Sequence, residues 1–168
     1  MLVSNLAYSD YVGRLSIGRV MAGSVKKNQK VIRRGVDAAG NPKNENFTVT
    51  SVLTFEGLKQ VETPELMAGD IGLISGSEQM EIGDTVAGNE EVPTLPRIYV
   101  ETPTIGMIFS VNTSPLSGKE GEAIQSRKLR DRLLREVRNN VALRFEDTAL
   151  PDQFRVLGRG ELQFAILV

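Results

Sequence analysis

The clearest hydrophobic pattern in this chain lies within residues 125–141. Four aliphatic side chains recur at every fourth position: Leu129, Leu133, Val137 and Val141. This spacing places them on a single stripe of an α-helix. Ser126 stands at the start of the pattern, and its hydroxyl is the kind of group that accepts an orphan backbone N–H in the first turn. The pattern therefore predicts an amphipathic helix with Ser126 as its N-cap.

The rest of this predicted helix is strongly basic. Its cations are Arg127, Lys128, Arg130, Arg132, Arg135 and Arg138. Only Asp131 and Glu136 oppose them. Such a face could bind phosphate groups, because arginine contacts phosphate through two parallel hydrogen bonds. Alternatively it is a solvated surface with ion pairs from Asp131 to Arg135 and from Arg132 to Glu136.

The first 92 residues show the alternating pattern of β-strands and no helical period. The predicted strands are residues 11–20, 29–33, 47–53, 71–74 and 82–86, and residues 35–46 are predicted as a hairpin tip. Short strands with many glycines are typical of a small closed β-barrel. The sequence Pro93-Thr94-Leu95-Pro96 then predicts a stiff linker over residues 93–97.

The second half predicts a different architecture, which spans residues 98–168. Strands are expected at residues 104–112, 142–146 and 153–157, and a second helix begins at Glu161. The order β-α-β-β-α is that of a ferredoxin-like domain that lacks its last strand. The chain stops in an apolar run, Phe164 to Val168, so we expect a fragment of a longer protein. We also expect this run to lack order or to pack against a second copy.

Charge and composition exclude several kinds of site. The net charge is −1, but residues 94–168 hold 11 Lys and Arg against 9 Asp and Glu, six of these cations on the predicted helix. With no cysteine and no histidine, the usual zinc sites and a histidine general base are unavailable. The absence of cysteine fits a reducing compartment, and no apolar run is long enough to span a membrane.

Several motifs resemble translational GTPases. Asp10-x-x-Gly13-Arg14, Gly69-Asp70 and Gly83-Asp84-Thr85 resemble their second domain. Asn112-Thr113-Ser114-Pro115, Gly118-Lys119-Glu120-Gly121 and Arg155-Val156-x-Gly158-Arg159-Gly160 resemble their third domain. The Asn-Thr-Ser-Pro and Gly-Lys-Glu-Gly pair is typical of the TypA/BipA family, which is similar to elongation factor G. The resemblance covers essentially the whole chain and implies a translation-factor-type β-barrel followed by an incomplete ferredoxin-like domain.

The resemblance implies a parent GTPase whose GTP-binding domain precedes this chain. No phosphate loop and no Asn-Lys-x-Asp motif occur here, so GTP and Mg²⁺ would belong to the missing domain. This fragment is therefore expected to be no enzyme. The family implies that the barrel docks on small-subunit ribosomal RNA beside a ribosomal protein. It also implies a third domain that relays the nucleotide state to the C-terminal domains, in a cytoplasmic protein of ribosome assembly and stress response.

Two groups of residues are the candidate sites. The candidate RNA contacts are Arg127, Lys128, Arg130, Arg135, Arg138, Lys119, Arg14 and Arg19. The candidate interdomain loop comprises Asn112, Thr113, Ser114, Pro115, Gly118 and Gly121, together with Arg159. The barrel arginines could equally be outward residues that keep a strand soluble. The carboxylates Asp70, Asp84, Glu146 and Asp147 are predicted to form turns.

Three other functions compete with this interpretation. The first is the corresponding region of elongation factor G, against which the Asn-Thr-Ser-Pro loop argues. The second is an enzyme that uses surface carboxylates, but no matched acid and base are apparent. The third is a structural oligomerisation module, which the apolar C-terminal run favours.

Overall fold

The computed structural model of the protein describes residues 1–37, 40–112 and 125–167. Their elements in chain order are β1 (Leu2–Ser9), β2 (Gly13–Arg19), β3 (Ser24–Lys26), β4 (Lys30–Val36), β5 (Pro42–Thr48), β6 (Ser51–Glu56), β7 (Lys59–Glu62), β8 (Glu65–Met67), β9 (Ile71–Ser75), β10 (Thr85–Ala87), β11 (Ile105–Ser110), α1 (Ser126–Asn139), β12 (Arg144–Asp147), β13 (Gln153–Gly158) and α2 (Glu161–Leu167). The chain divides into two compact units, Met1–Tyr99 and Val100–Val168, and residues 93–97 lie in the first.

The first unit is a barrel-like arrangement of antiparallel strands, and the predicted fold class is confirmed. Eight strands form one sheet in the order β5-β4-β10-β1-β2-β9-β6-β7, and β3 pairs with β8. The inward side chains are aliphatic, with Val3, Val52 and Leu66 almost completely buried. Gly18 is required where β1 and β2 approach closely, because a Cβ there would overlap the carbonyl of Leu2. Apolar burial, which is the main stabilising term in folding, is thus concentrated between the strands.

Several predicted strand boundaries in this unit are wrong. The alternating run at residues 47–53 is two strands, because the backbone of Val49 pairs with Asn28 and Gln29 instead of continuing β5. The predicted hairpin tip at residues 35–46 is mostly strand, since β5 begins at Pro42. Residues 82–84 precede β10 rather than belonging to it. Strands of three or four residues, such as β3, β7 and β8, are too short to show a period in the sequence.

The second unit has the predicted element order β-α-β-β-α. Its sheet has the antiparallel order β11-β13-β12. Val156 of the central strand β13 pairs with Met107 of β11 on one side and with Phe145 of β12 on the other. The side chains of Phe154 and Val156 point toward the helices. Its buried core consists of Leu133, Leu143, Phe154, Val156, Phe164 and Leu167. Aliphatic and aromatic side chains from both helices and the sheet thus close one small core.

The expectation for the apolar C-terminal run is wrong for Phe164 and Leu167. Phe164 and Leu167 are buried in the core of their own chain, and the Phe164 ring lies 6.5 Å from that of Phe109. The sheet beneath them has three strands. Leu162 and Ile166 lie on the other side of α2 and remain 74% and 76% exposed. Across the described ranges, neither helix has the length and apolar character needed to cross a bilayer.

Candidate nucleic-acid interface

The amphipathic character predicted for α1 is confirmed, although Val141, the last position of the predicted stripe, lies beyond the end of the helix. Leu133 is buried, and Leu129 and Val137 pack against the same core. The helix ends at Asn139, because Asn140 adopts an extended conformation while its N–H still donates to the carbonyl of Glu136. The apolar stripe therefore fixes which side of α1 faces the sheet, and it leaves the opposite side to solvent.

The solvent side of α1 is cationic. Five of its basic side chains are exposed: Arg127, Lys128, Arg132, Arg135 and Arg138. From Arg127 to Arg138 the helix rises about 16 Å, and Asp131 is the single exposed acid on it. Within residues 125–167, the ion pairs predicted from Asp131 to Arg135 and from Arg132 to Glu136 do not form. We call the five exposed cations the α1 cationic face.

Arg130 differs from these five cations because it binds the sheet, and its role as a candidate RNA contact stays a prediction. Its Nε and one Nη donate to the two carboxylate oxygens of Asp147 on β12, each at 3.2 Å. The guanidinium also lies 5.4 Å from the ring centre of Phe145. The hydrogen bonds with Asp147 raise the pKa of Arg130. Arg130 thus ties the helix to the sheet, while 43% of its side chain remains exposed.

Ser126 does not cap α1, contrary to the prediction. The N-cap is Gln125, which makes no side-chain capping hydrogen bond. Ser126 is the first helical residue, and its hydroxyl donates to the carbonyl of Pro151 at 2.6 Å. The helix start is therefore tied to the turn between β12 and β13, a long-range contact that local sequence rules do not describe.

The two barrel arginines are not brought together. Arg14 and Arg19 occupy opposite ends of β2, five residues apart, so they point to opposite faces of the sheet. Arg14 is half-buried and donates to the carbonyl of Met80 at 2.9 Å, whereas Arg19 is exposed. Arg19 is thus the better placed of the two for contact with another molecule.

The predicted interdomain loop lies mostly outside the described residues. This holds for Thr113, Ser114, Pro115, Gly118 and Gly121, and also for Lys119, which was predicted as an RNA contact. Asn112 precedes that range and has an interaction partner. Arg159 is engaged within its own unit, where its guanidinium donates to the carbonyl of Glu101 at 3.0 Å and its N–H to Gln163 at 2.7 Å. Arg159 therefore stabilises the start of α2.

One charged cluster was not predicted. Asp84, expected to form a turn, is completely buried and accepts hydrogen bonds from Arg33 Nε and Arg97 Nη1, each at 2.5 Å. Arg33 is itself only 3% exposed. A signal was present in the sequence, since Arg33 occupies an inward position of β4 between Val31 and Gly35. An inward charge on a strand requires a buried partner of opposite sign.

The other carboxylates that were predicted to form turns have two different roles. Asp70 does form a turn, accepting the N–H of Met67 at 2.8 Å. Glu146 and Asp147 are instead strand residues of β12, and each pairs with an arginine: Glu146 with Arg155 at 3.5 Å and Asp147 with Arg130. Every fully buried side-chain nitrogen or oxygen in the described parts of the chain has a hydrogen-bond partner.

Comparison with known proteins covers both units. Residues 13–87 match the family described as elongation factor Tu domain 2. The whole chain is 46% identical to "Large ribosomal subunit assembly factor BipA" of Escherichia coli K12 and 45% identical to that of Salmonella typhimurium. A BipA of Bacillus subtilis is 42% identical over 166 residues, 99% of this chain. The chain belongs to the TypA/BipA family.

The chain spans about a quarter of the length of these BipA relatives, 27% for the Escherichia coli protein and 26% for the Bacillus subtilis protein. The match to elongation factor Tu domain 2 falls entirely within the first unit. Helix α1 and its cationic face lie in the second unit, which the BipA relatives match and that domain family does not.

Proposed function

We propose that this chain is a non-catalytic docking and relay region of a ribosome-associated GTPase of the BipA kind. The observation that supports it is the α1 cationic face, which carries five exposed cations on one helix. Phosphate groups attract such a surface without regard to base sequence, and each neutralised phosphate releases condensed counterions. Arginine supplies most of these charges, which suits the geometry of a phosphate group.

The ligand that we propose for this face is the backbone of ribosomal RNA. BipA relatives carry the name of a large ribosomal subunit assembly factor, and the motifs of the first unit resemble domains that imply docking on small-subunit RNA. We therefore propose a small-subunit contact for the barrel, with Arg19 as its exposed cation, in a cytoplasmic protein that acts in ribosome assembly and stress response. A ribosomal protein would complete the site.

The test is co-sedimentation of the chain with purified small subunits, large subunits and whole ribosomes over a series of salt concentrations. We expect binding that weakens as salt increases, and weaker binding when Arg127, Lys128, Arg135 and Arg138 are changed together to glutamine. The control is Arg155→Gln on β13. It removes an exposed cation from the face of the second unit's sheet that points away from the helices. An equal loss of binding in both variants, or binding that does not depend on salt concentration, would overturn the proposal.

The relay role concerns the rest of the parent protein. GTP and Mg²⁺ would bind its GTP-binding domain, and this chain would transmit the nucleotide state through contacts that differ between the two states. The chain itself should therefore neither bind nor hydrolyse GTP. Titration with a fluorescent GTP analogue tests this expectation, and saturable binding in the presence of Mg²⁺ would contradict it.

Oligomerisation remains a second candidate, which the exposed Leu162 and Ile166 on α2 favour. Two large aliphatic side chains one turn apart can form a small self-complementary patch. Light scattering over a range of protein concentrations distinguishes the two functions. A mass that increases with concentration in the parent sequence but not in a Leu162→Ser, Ile166→Ser variant would support self-association.

A further inference from the structure

Residues 92–98, which we call the strap, follow the last barrel strand and lie on the first unit without forming a strand or helix. Polar contacts fasten the strap at three points. Arg34 donates to the carbonyl of Val92, the N–H of Leu95 donates to the hydroxyl of Thr85 at 3.0 Å, and Arg97 binds Asp84. Each contact uses a side chain, and within residues 88–104 the backbone makes no hydrogen bond to the barrel backbone. The strap is therefore not part of a β-ladder.

Asp84 has two cationic partners, one on each carboxylate oxygen. Arg33 donates to Oδ2, which also accepts the N–H of Glu81 at 2.9 Å, and Arg97 donates to Oδ1. One arginine is enough to neutralise one carboxylate. Arg33, which belongs to β4, also pairs with the partly exposed Glu45 at 3.5 Å, but its closer contact is with the fully buried Asp84. Arg33 would therefore still neutralise Asp84 if Arg97 moved away. Arg97 is also the more accessible, with 17% of its side chain exposed and a second partner, Glu81, at 3.1 Å.

The apolar contact beneath the strap is incomplete. A cavity of about 420 Å³ remains between strap and barrel. Its apolar lining includes Val92, Pro93 and Leu95 from the strap and Met21, Val25, Val31 and Val86 from the barrel. Side chains beside a cavity lose the van der Waals contacts that a filled core would supply. The strap is therefore held less by packing than the strands beneath it.

We propose that Arg97 is a latch that holds the strap on Asp84, and that releasing it frees residues 92–98 while the barrel stays folded. Segments with few buried contacts and no backbone ladder open locally at lower free energy than the core around them. While Arg97 binds Asp84, the strap would fix the direction in which the chain leaves the barrel. After release, the chain could leave in a range of directions. This inference rests on contacts within the first unit and is independent of the proposed RNA binding.

The experiment is amide hydrogen exchange measured by NMR on the whole chain, comparing the parent sequence with Arg97→Gln. Leu95 reports on the strap, because its N–H is protected only by Thr85. Val86 reports on the barrel, because its N–H donates to the carbonyl of Met1 at 2.8 Å. We expect exchange at Leu95 to accelerate about tenfold or more while Val86 is unchanged. Arg19→Gln, which removes an exposed barrel arginine, should leave both rates unchanged.

Three outcomes would overturn the latch. Equal acceleration at Leu95 and Val86 would mean that strap and barrel open as one cooperative unit. No acceleration at Leu95 would mean that Arg97 does not hold the strap. Loss of the barrel's own dispersed signals would mean that Asp84 needs both arginines. Arg97→Lys supplies a further check, since a cation at this position should restore part of the protection at Leu95.

Discussion

Arg130 on α1 and Asp147 on β12 form a two-point contact, with Nε and Nη2 of the arginine each 3.2 Å from a carboxylate oxygen. The ring of Phe145 supports the same guanidinium. One cation of the helix is thus turned toward the sheet, and the others remain on the solvent side. The sequence Arg-Asp-Arg at residues 130–132 therefore contains two arginines with different roles.

The first prediction separates these roles by their effect on salt dependence. Arg127→Gln should weaken ribosomal RNA binding and reduce the slope of log affinity against log salt by about one, because one phosphate contact is lost. Arg130→Gln should leave the slope unchanged, since this guanidinium is engaged with Asp147. Filter binding at several salt concentrations measures both. A matching change of slope in Arg130→Gln would show that Arg130 also reaches phosphate.

The second prediction concerns the buried charge cluster. Asp84→Asn should destabilise the first unit by about 3–5 kcal/mol, because the buried Arg33 would lose its closest carboxylate and keep only the longer contact with Glu45 at 3.5 Å. Chemical denaturation, followed by signals of the first unit, gives the free energy of unfolding. The control is Asp70→Asn, which changes an exposed turn carboxylate and should cost well under half as much. Similar losses in the two variants would contradict a special role for Asp84.

The third prediction compares two glycines that share a positive φ. In Gly57→Ala the new methyl group has open space around it. The free energy of unfolding should therefore fall by about 1–2 kcal/mol, from the backbone conformation alone. At Gly83, a methyl group would also overlap the backbone of Ile98, the last residue of the strap. Gly83→Ala should therefore be the more destabilising of the two, and it should increase exchange at Leu95. Equal free energies of unfolding would show that Ile98 moves away without cost.

The fourth prediction tests the packing of α2. Phe164→Ala should destabilise the second unit by about 3–5 kcal/mol, because it empties a buried position in the core beside Phe109 of β11. Leu162→Ala on the exposed side of the same helix should change stability by less than about 0.5 kcal/mol. Denaturation followed by NMR signals of β13 separates this unit from the barrel. A large effect at Leu162 would indicate that its side of α2 is covered in solution.

Much of the fold could be predicted because it is encoded locally. The four-residue spacing of Leu129, Leu133 and Val137 determines which side of α1 is buried, whatever the helix packs against. Alternation similarly indicated β4 and β13. The family motifs are also short stretches, so they could be recognised without any structure.

Strand boundaries and the roles of single charges depended on partners far away in the chain. Val49 leaves the ladder because its backbone meets Asn28, and Ser126 binds Pro151 instead of capping its own helix. Neither contact can be predicted from the residues next to it in the sequence. Local rules therefore placed these residues in plausible but incorrect roles.

By itself the sequence determined the family, the order of elements and the concentration of positive charge on one helix, because these properties depend on residue type and spacing. Only the tertiary structure decided which charges pair with each other and which of them are buried. Arg130 meets Asp147 seventeen residues away, and Arg33 meets Asp84 fifty-one residues away. The energy of a charge depends on its distance from other charges and from water, and folding sets both.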